Sequence, residues 1–243
     1  MSLSIPFLPP VSVDGESLHS YMPVVYFDDF VTSGYEAASA NKFSRAADTS
    51  DWLLTQVGTA THAMTDDGVS AIKVGTGSTD NNTTNCQVNG EAFALASGKT
   101  LIWEMRCHIE DVTLTDWFVG VAISTTDILT ACSDYIGFGN TANAASILAI
   151  NGKDDTAEIA DADSAGQTLT DTGSDLVNGT YVVLRFEVEG TSAVRFYVDG
   201  VLKATHTTDL PDNEAMSPAF AVRCASGAAE AITVDYVLAI IDR

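Results

Sequence analysis

Carboxylates that share one face of a strand are the residues of this chain with the clearest catalytic potential. Two carboxyl groups flanking a glycosidic bond can act as acid and as nucleophile or base, and a pattern such as E-x-D-x-x-E places them along one strand. The run TLIWEMRCHI offers only Glu104 on its polar face, beside Arg106 and His108. Glu187 and Glu189 share a face but lack a third carboxylate. The sequence therefore predicts a solvated strand face, no catalytic residues and no enzyme.

Oxygen-rich loops are the candidates for a metal ion. The stretch Asp161-Ala-Asp163-Ser-Ala-Gly166 begins like a calcium-binding loop. Such a loop also needs an oxygen ligand at position five and a glutamate at position twelve, where this chain has Ala165 and Thr172. Other clusters suit turns equally well: Asp66-Asp67, Asp80-Asn81-Asn82 and Asp154-Asp155. The sequence assigns no metal ligands or other cofactor and leaves a structural calcium ion open.

The other reactive side chains follow no catalytic or zinc-binding spacing. The histidines are scattered along the chain, at His19, His62, His108 and His206. The cysteines form no C-x-x-C pair and are predicted to be buried thiols: Cys86, Cys107, Cys132 and Cys224. A sugar site would need exposed aromatic rings and polar partners. Trp103 and Trp117 are in phase with apolar strand faces and are expected in the core, which leaves Trp52 as the tryptophan that could be exposed.

The charge of the chain restricts its partners. There are 33 acidic residues against 11 basic ones, and the net charge is −22 at pH 7. A field of that sign repels phosphate backbones and anionic lipid headgroups, so we expect neither nucleic acid nor membrane as a partner. The N-terminal stretch MSLSIPFLPPVSVDGESLHSYMP has no Lys or Arg and no long apolar core, so it does not resemble a signal peptide. We therefore expect synthesis in the cytoplasm.

Short alternating segments separated by Gly-, Asp- and Asn-rich turns predict about a dozen β-strands from residue 26 onward. The main predicted strands span residues 26–30, 52–57, 69–74, 86–88, 100–109, 117–124, 135–138, 147–150, 181–189, 193–198, 201–207, 220–224 and 232–240. Asp199-Gly200 predicts a type I′ hairpin turn, because both residues tolerate positive φ. In the last strand, residues 232, 234, 236, 238 and 240 are expected to share one face. The one weak helical candidate is 34–41, and 153–174 predicts loops with one edge strand at most.

Residues 1–25 predict an extended arm, since Pro6, Pro9, Pro10 and Pro23 break helices and no steady period occurs. Docking of this arm on a neighbouring molecule and terminal disorder are both open. Residues 26–243 predict one folded domain, because a large all-β domain can run to about 250 residues.

Four features together resemble the concanavalin A-like lectin/glucanase jelly roll, in its laminin-G-like form. They are YFDDF at 26–30, LIWEMRCHI followed by WFVGVAIS, the hairpin unit YVVLRFEVE…AVRFYVDGVL at 181–202, and ITVDYVLAI at 232–240. The resemblance covers roughly residues 26–243. It implies an all-β, two-sheet antiparallel β-sandwich with an extended N-terminal arm.

Within this superfamily the chain resembles structural proteins on the virions of tailed phages. That resemblance implies a non-enzymatic capsid decoration (cement) protein that binds the major capsid protein or another virion protein at the virion surface. It also implies a homo-oligomer, with a trimer favoured. The alternatives are a carbohydrate-binding or adhesin domain of a fibre or tail component, with a glycan as its partner, and a degenerate glycoside hydrolase.

Overall fold

The computed structural model describes residues 23–30, 36–39, 42–44, 52–58, 65–66, 71–161, 165–212, 214–225 and 227–242. The predicted arm at 1–25 therefore lies almost entirely outside the described residues. Within them the chain forms eighteen strands and one short helix, α1 (Ile128–Ala131). No helix in these ranges is long and apolar enough to cross a membrane.

The strands are β1 (Val24–Asp28), β2 (Glu36–Ser39), β3 (Lys42–Ser44), β4 (Trp52–Val57), β5 (Thr65–Asp66), β6 (Ile72–Gly75), β7 (Thr83–Val88), β8 (Phe93–Ala94), β9 (Thr100–Ile109), β10 (Thr115–Ala122), β11 (Tyr135–Asn140), β12 (Ser146–Gly152), β13 (Gln167–Asp175), β14 (Val182–Glu189), β15 (Ala193–Val198), β16 (Val201–His206), β17 (Ala215–Cys224) and β18 (Ala231–Ile241).

These strands form two antiparallel sheets that pack face to face. The eight-stranded sheet has the order β16-β15-β14-β9-β18-β6-β5, and β1 pairs with β18. The ten-stranded sheet has the order β13-β12-β11-β10-β17-β7-β4-β3-β2, and β8 pairs with β17. Neighbours in each sheet are often distant in sequence, as in a jelly roll. The predicted fold class, a two-sheet antiparallel β-sandwich, is confirmed.

Large aromatic side chains fill the space between the sheets. Trp103 stacks on Phe186 with ring centroids 5.1 Å apart, and Phe138 meets Phe196 of the opposite sheet edge to face at 5.3 Å. Each such ring contributes roughly 2–3 kcal/mol through removal from water. All four cysteines are buried and free, as predicted. Burial raises the pKa of the Cys107 thiol to about 12, so this thiol stays protonated.

The hairpin at Asp199-Gly200 forms the predicted turn. Asp199 has φ 49° and Gly200 has φ 77°, which is the conformation that a type I′ turn requires. Asp199 also ties the turn to β14: its amide donates to the Val183 carbonyl at 2.8 Å, and its carboxylate accepts from the Val183 amide at 3.0 Å. The acidic side chain therefore serves the turn.

Strand β18 departs from the predicted alternation. Ile232 and Val234 face the core, but the pairing with β9 shifts register between Val234 and Tyr236. This irregularity, a β-bulge, exchanges the two faces of the strand beyond it. The prediction of one continuous face was therefore wrong after Val234: Val237, Ala239 and Ile241 are buried, and Tyr236, Leu238 and Ile240 face outward.

Of two other segments, one differs in type from the sequence prediction and one agrees with it. The helical candidate at 34–41 was wrong, since Glu36–Ser39 forms strand β2. Region 153–174 does contribute one edge strand, β13, which borders the ten-stranded sheet. Tertiary pairing overrides local propensity in segments as short as β2, because four residues supply little intrinsic preference.

Candidate functional site

A groove of about 500 Å³ lies on the outer face of the ten-stranded sheet. Its floor is formed by Leu53 and Thr55 of β4, Asn85 and Gln87 of β7, and Ser217 of β17. Its wall is the loop at 124–126 together with Glu91, which follows β7. The site is thus assembled from three strands that are far apart in sequence.

Strand alternation explains why these side chains line the groove. On β4, Trp52 and Leu54 are buried in the core, so Leu53 and Thr55 point to the opposite face. On β7, Cys86 faces the core, and Asn85 and Gln87 therefore face outward. The register sets Leu53 beside Gln87 and Thr55 beside Asn85. The floor therefore carries two cross-strand pairs, of which Thr55–Asn85 is polar on both strands and Leu53–Gln87 is polar on one.

The amide side chains of the floor hold the wall loop in place. Gln87 Nε2 donates to the Ile123 carbonyl at 2.8 Å, and the Thr125 amide donates to Gln87 Oε1 at 3.1 Å. Asn85 Oδ1 accepts from the Ile128 amide at 3.0 Å, and its Nδ2 donates to the Thr126 carbonyl at 3.2 Å. These bonds satisfy backbone groups that the loop would otherwise leave unpaired at the sheet surface.

The part of this sheet face formed by β10, β11 and β12 is covered by the chain itself. Ile128 and Leu129 of α1 are fully buried against an outer-face cluster that includes Phe118, Tyr135 and Ile150. The segment 153–161 lies over the same cluster, where the Tyr135 hydroxyl donates to the Asp155 carboxylate at 2.7 Å. Burial and this bond raise the pKa of Tyr135, so the phenol remains a protonated donor. The groove is therefore confined to the half of the face formed by β4, β7 and β17.

A buried ion cluster fixes the covering segment to the sheet. Arg223 Nε of β17 donates to Asp116 Oδ2 of β10 at 2.8 Å, and Arg223 also pairs with Glu158 of the covering segment. Burial raises the pKa of Asp116, and the hydrogen bond from Arg223 opposes that rise. The cluster joins the cover to β10 and β17, so its role is structural.

The carboxylates weighed from the sequence lie on the opposite sheet, away from the groove. Glu104 Oε1 accepts from the Tyr236 hydroxyl at 2.7 Å, and Glu104 Oε2 lies 3.6 Å from Arg185. Arg185 also pairs with Glu187 at 2.5 Å. Arg106 pairs with Asp235 and lies over the Tyr181 ring, 4.0 Å from its centroid. These groups neutralise one another along a partly exposed strand face.

Trp52 is not available to a ligand. The side chain is fully buried, 5.2 Å from the ring of Phe220, and its indole N–H donates to Asp28 Oδ2 at 3.1 Å. Trp52, which the sequence left as the tryptophan that could be exposed, is buried because it shares the core-facing side of β4 with Leu54. Trp103 and Trp117 are in the core, as expected.

No group of three or more His, Cys, Asp or Glu side chains suited to a metal ion occurs in the described ranges. The calcium-like stretch at 161–166 falls partly outside them, since residues 162–164 are not described. Asp80-Asn81-Asn82 and Asp154-Asp155 lie in turns and loops, whereas Asp66 lies in strand β5. Asn81 has φ 64° and Asp154 has φ 51°, a backbone region that Asn and Asp tolerate better than most residues.

Sequence reasoning missed the groove residues Asn85 and Gln87. The signal was present in the run TTNCQV, where amides alternate with a buried cysteine in a strand that is otherwise enclosed. Polar side chains that are largely buried must find partners, and such a pattern marks a strand whose outer face meets another segment.

Comparisons with known proteins identify the fold. No family model matches the sequence, and no curated protein matches it. Among solved structures, an endo-1,3-beta-glucanase from Streptomyces sioyaensis matches with a TM-score of 0.58 and 12% identity, covering 95% of this chain and 99% of that chain. The beta-glucanase of Bacillus licheniformis matches with a TM-score of 0.54 and 12% identity, covering 88% and 96%.

The carbohydrate recognition domain of Emp47p is also similar, with a TM-score of 0.53 and 10% identity over 93% of this chain and 98% of that chain. Identities this low establish the fold and nothing finer. The chain has the concanavalin A-like jelly-roll fold that glucanases and lectin-like domains share.

Proposed function

We propose that the chain is a carbohydrate-binding domain and that its ligand lies in the groove on the ten-stranded sheet. The observation that carries this proposal is the chemistry of the lining. Thr55, Ser124, Thr126 and Ser217 bring hydroxyl groups to one concave surface, and none of these hydroxyls hydrogen-bonds another described residue. Sugar hydroxyls are both donors and acceptors, so neutral groups of this kind complement them.

The similar structures support this assignment in a general way. A carbohydrate recognition domain and two glucanases share the fold, and each of those proteins is named for a carbohydrate. The groove is also wide enough for part of an oligosaccharide, since small-molecule sites typically measure about 300–1,000 Å³.

The lining favours binding over hydrolysis. Glycoside hydrolysis uses two carboxylates, and Glu91 is the only acidic residue among the lining side chains that the structure describes. One oxygen of Glu91 already accepts from the Ser124 amide at 2.6 Å. With neutral hydrogen bonds contributing about 1 kcal/mol each and no aromatic ring in the described lining, the expected affinity is in the millimolar range.

A glycan array followed by titration calorimetry tests the proposal. The double variant Thr55→Ala/Thr126→Ala removes two hydroxyls that hold no part of the fold, and it should weaken binding about thirtyfold. The matched control is Thr191→Ala/Thr205→Ala, two exposed threonines away from the groove. Absence of any competable glycan hit, or equal loss in both variants, would contradict the proposal. Glucan hydrolysis that disappears in Glu104→Gln would instead point to an enzyme.

A decoration protein of a phage capsid stays a prediction, and none of the similar structures reported above is a virion protein. The same holds for the capsid partner, the trimer and the virion location. Rebinding of the isolated protein to undecorated capsids tests this role. Deletion of residues 1–25 should weaken rebinding, and equal binding without them would remove the predicted role of the arm.

A further inference from the structure

Exposed apolar side chains cluster on the outer face of the eight-stranded sheet. Val25 and Phe27 of β1 are 56% and 52% exposed, and both point away from the core. Next to them β18 presents Leu238 and Ile240, and β9 presents Ile102. We call these five residues the β1 patch. The other strongly exposed apolar side chains of the described residues, Val177, Val201 and Leu202, lie outside it.

The pairing register makes the β1 patch continuous across three strands. Val25 pairs with Ile240, which pairs in turn with Ile102 of β9. Phe27 pairs with Leu238, and its ring lies 6.4 Å from that of Tyr236. The bulge in β18 is what turns Leu238 and Ile240 to this face. Single exposed apolar residues are common on protein surfaces, but a contiguous group on one sheet face indicates a covering partner.

We propose that residues 1–22 of the same chain fold back and cover the β1 patch. This segment joins β1 directly, through Pro23, and its stretch 5–13 alone supplies five large apolar side chains: Ile5, Phe7, Leu8, Val11 and Val13. Extended at about 3.1 Å per residue, it reaches roughly 70 Å, several times the span of the patch. Prolines 6, 9 and 10 have no amide hydrogen, so this stretch is suited to lying across a face and poorly suited to extending the sheet.

Charge favours this segment over a second copy of the chain. Two molecules that each carry a net charge of −22 repel one another, which opposes association through the patch. Residues 1–22 carry only two acidic side chains, Asp14 and Glu16. Because the segment is covalently attached, its effective concentration at the patch is in the millimolar range. The proposal is independent of the carbohydrate groove, which lies on the other sheet.

Photo-crosslinking in the full-length protein tests the proposal. The substitution Phe27→p-benzoylphenylalanine places a photoreactive group in the patch, and the same substitution at Leu202, which is 51% exposed on β16, is the control. An aspartate-specific protease cuts before Asp14 and Asp28, so peptides 1–13 and 14–27 separate unless they are crosslinked. We expect peptide 1–13 to be joined to peptide 14–27 within a monomer when the photoreactive group is at Phe27. In the Leu202 control, we expect no joining of peptide 1–13 to peptide 199–208, which carries the photoreactive group there. A crosslinked dimer, or no excess over the control, would overturn the proposal.

Limited chymotrypsin digestion gives a second readout. Cleavage after Phe7 should be about tenfold faster in Phe27→Ser than in the wild type, since a docked segment is protected and a weakened patch releases it. The matched variant Leu202→Ser should leave the rate unchanged. Equal cleavage rates in all three proteins would show that residues 1–22 do not dock on the patch.

Discussion

Asn85 joins the floor of the groove to its wall loop through side-chain hydrogen bonds. Its side chain is 1% exposed and makes three hydrogen bonds: Nδ2 donates to the carbonyls of Thr55 and Thr126, and Oδ1 accepts from the Ile128 amide. Asn85→Ala removes all three bonds and leaves buried backbone groups without partners. At about 1 kcal/mol for each bond, the free energy of unfolding should fall by about 3 kcal/mol.

The assay is denaturant unfolding followed by tryptophan fluorescence, because all three tryptophans are fully buried and report the core. In a chain of this size, a loss of about 3 kcal/mol corresponds to a Tm lower by about 6–12 °C. Asn89→Ala is the control: this exposed asparagine follows the same strand and lines the same groove. It should change stability by less than about 0.5 kcal/mol. Equal effects of the two substitutions would refute the role given to Asn85.

Two further substitutions test the packing and the polar core. His206 is buried and contacts Asn151 Oδ1 at 2.6 Å and Thr170 Oγ1 at 2.9 Å, and burial lowers its pKa to about 4. The unfolded chain protonates this histidine near pH 6.5, so stability should fall as pH drops from about 6.5 to 4, by roughly 3 kcal/mol from this group. His206→Gln should reduce this dependence of stability on pH when both proteins are unfolded at a series of pH values. An unchanged dependence would contradict the role given to His206. Gly137→Ala places a Cβ 2.2 Å from the Val119 carbonyl oxygen, and the clash should cost about 3 kcal/mol by thermal unfolding. In Gly98→Ala the added Cβ meets no neighbour, but the φ of 77° is unfavourable for alanine, so the free energy of unfolding should fall by only about 1 kcal/mol. Similar losses for the two substitutions would show that the clash at Gly137 is not the cause.

Strands with strict alternation could be predicted from sequence alone. The bounds of β9 and β15 agree with the predicted strands, and Asp199-Gly200 forms the predicted turn. In such segments the hydrophobic period and the turn chemistry point to the same structure. The fold class followed from their number and order.

The features that sequence could not predict depend on long-range pairing. The bulge in β18 could not be predicted from the sequence, because both faces of ITVDYVLAI carry apolar residues. The pattern therefore does not decide which of the two faces is buried. The groove requires β4, β7 and β17 to become neighbours, and no local pattern specifies that adjacency. Burial of Trp52 likewise depends on Phe220, a residue far along the chain.

The most direct test of the central claim is an NMR titration of the protein with the oligosaccharide that a glycan array selects. The account predicts that chemical shifts change for Leu53, Gln87 and Thr125, which line the groove. Residues of the opposite sheet, such as Arg106 and Arg185, should not respond. Shift changes confined to the opposite sheet, or none at saturating sugar, would contradict a carbohydrate site in the groove.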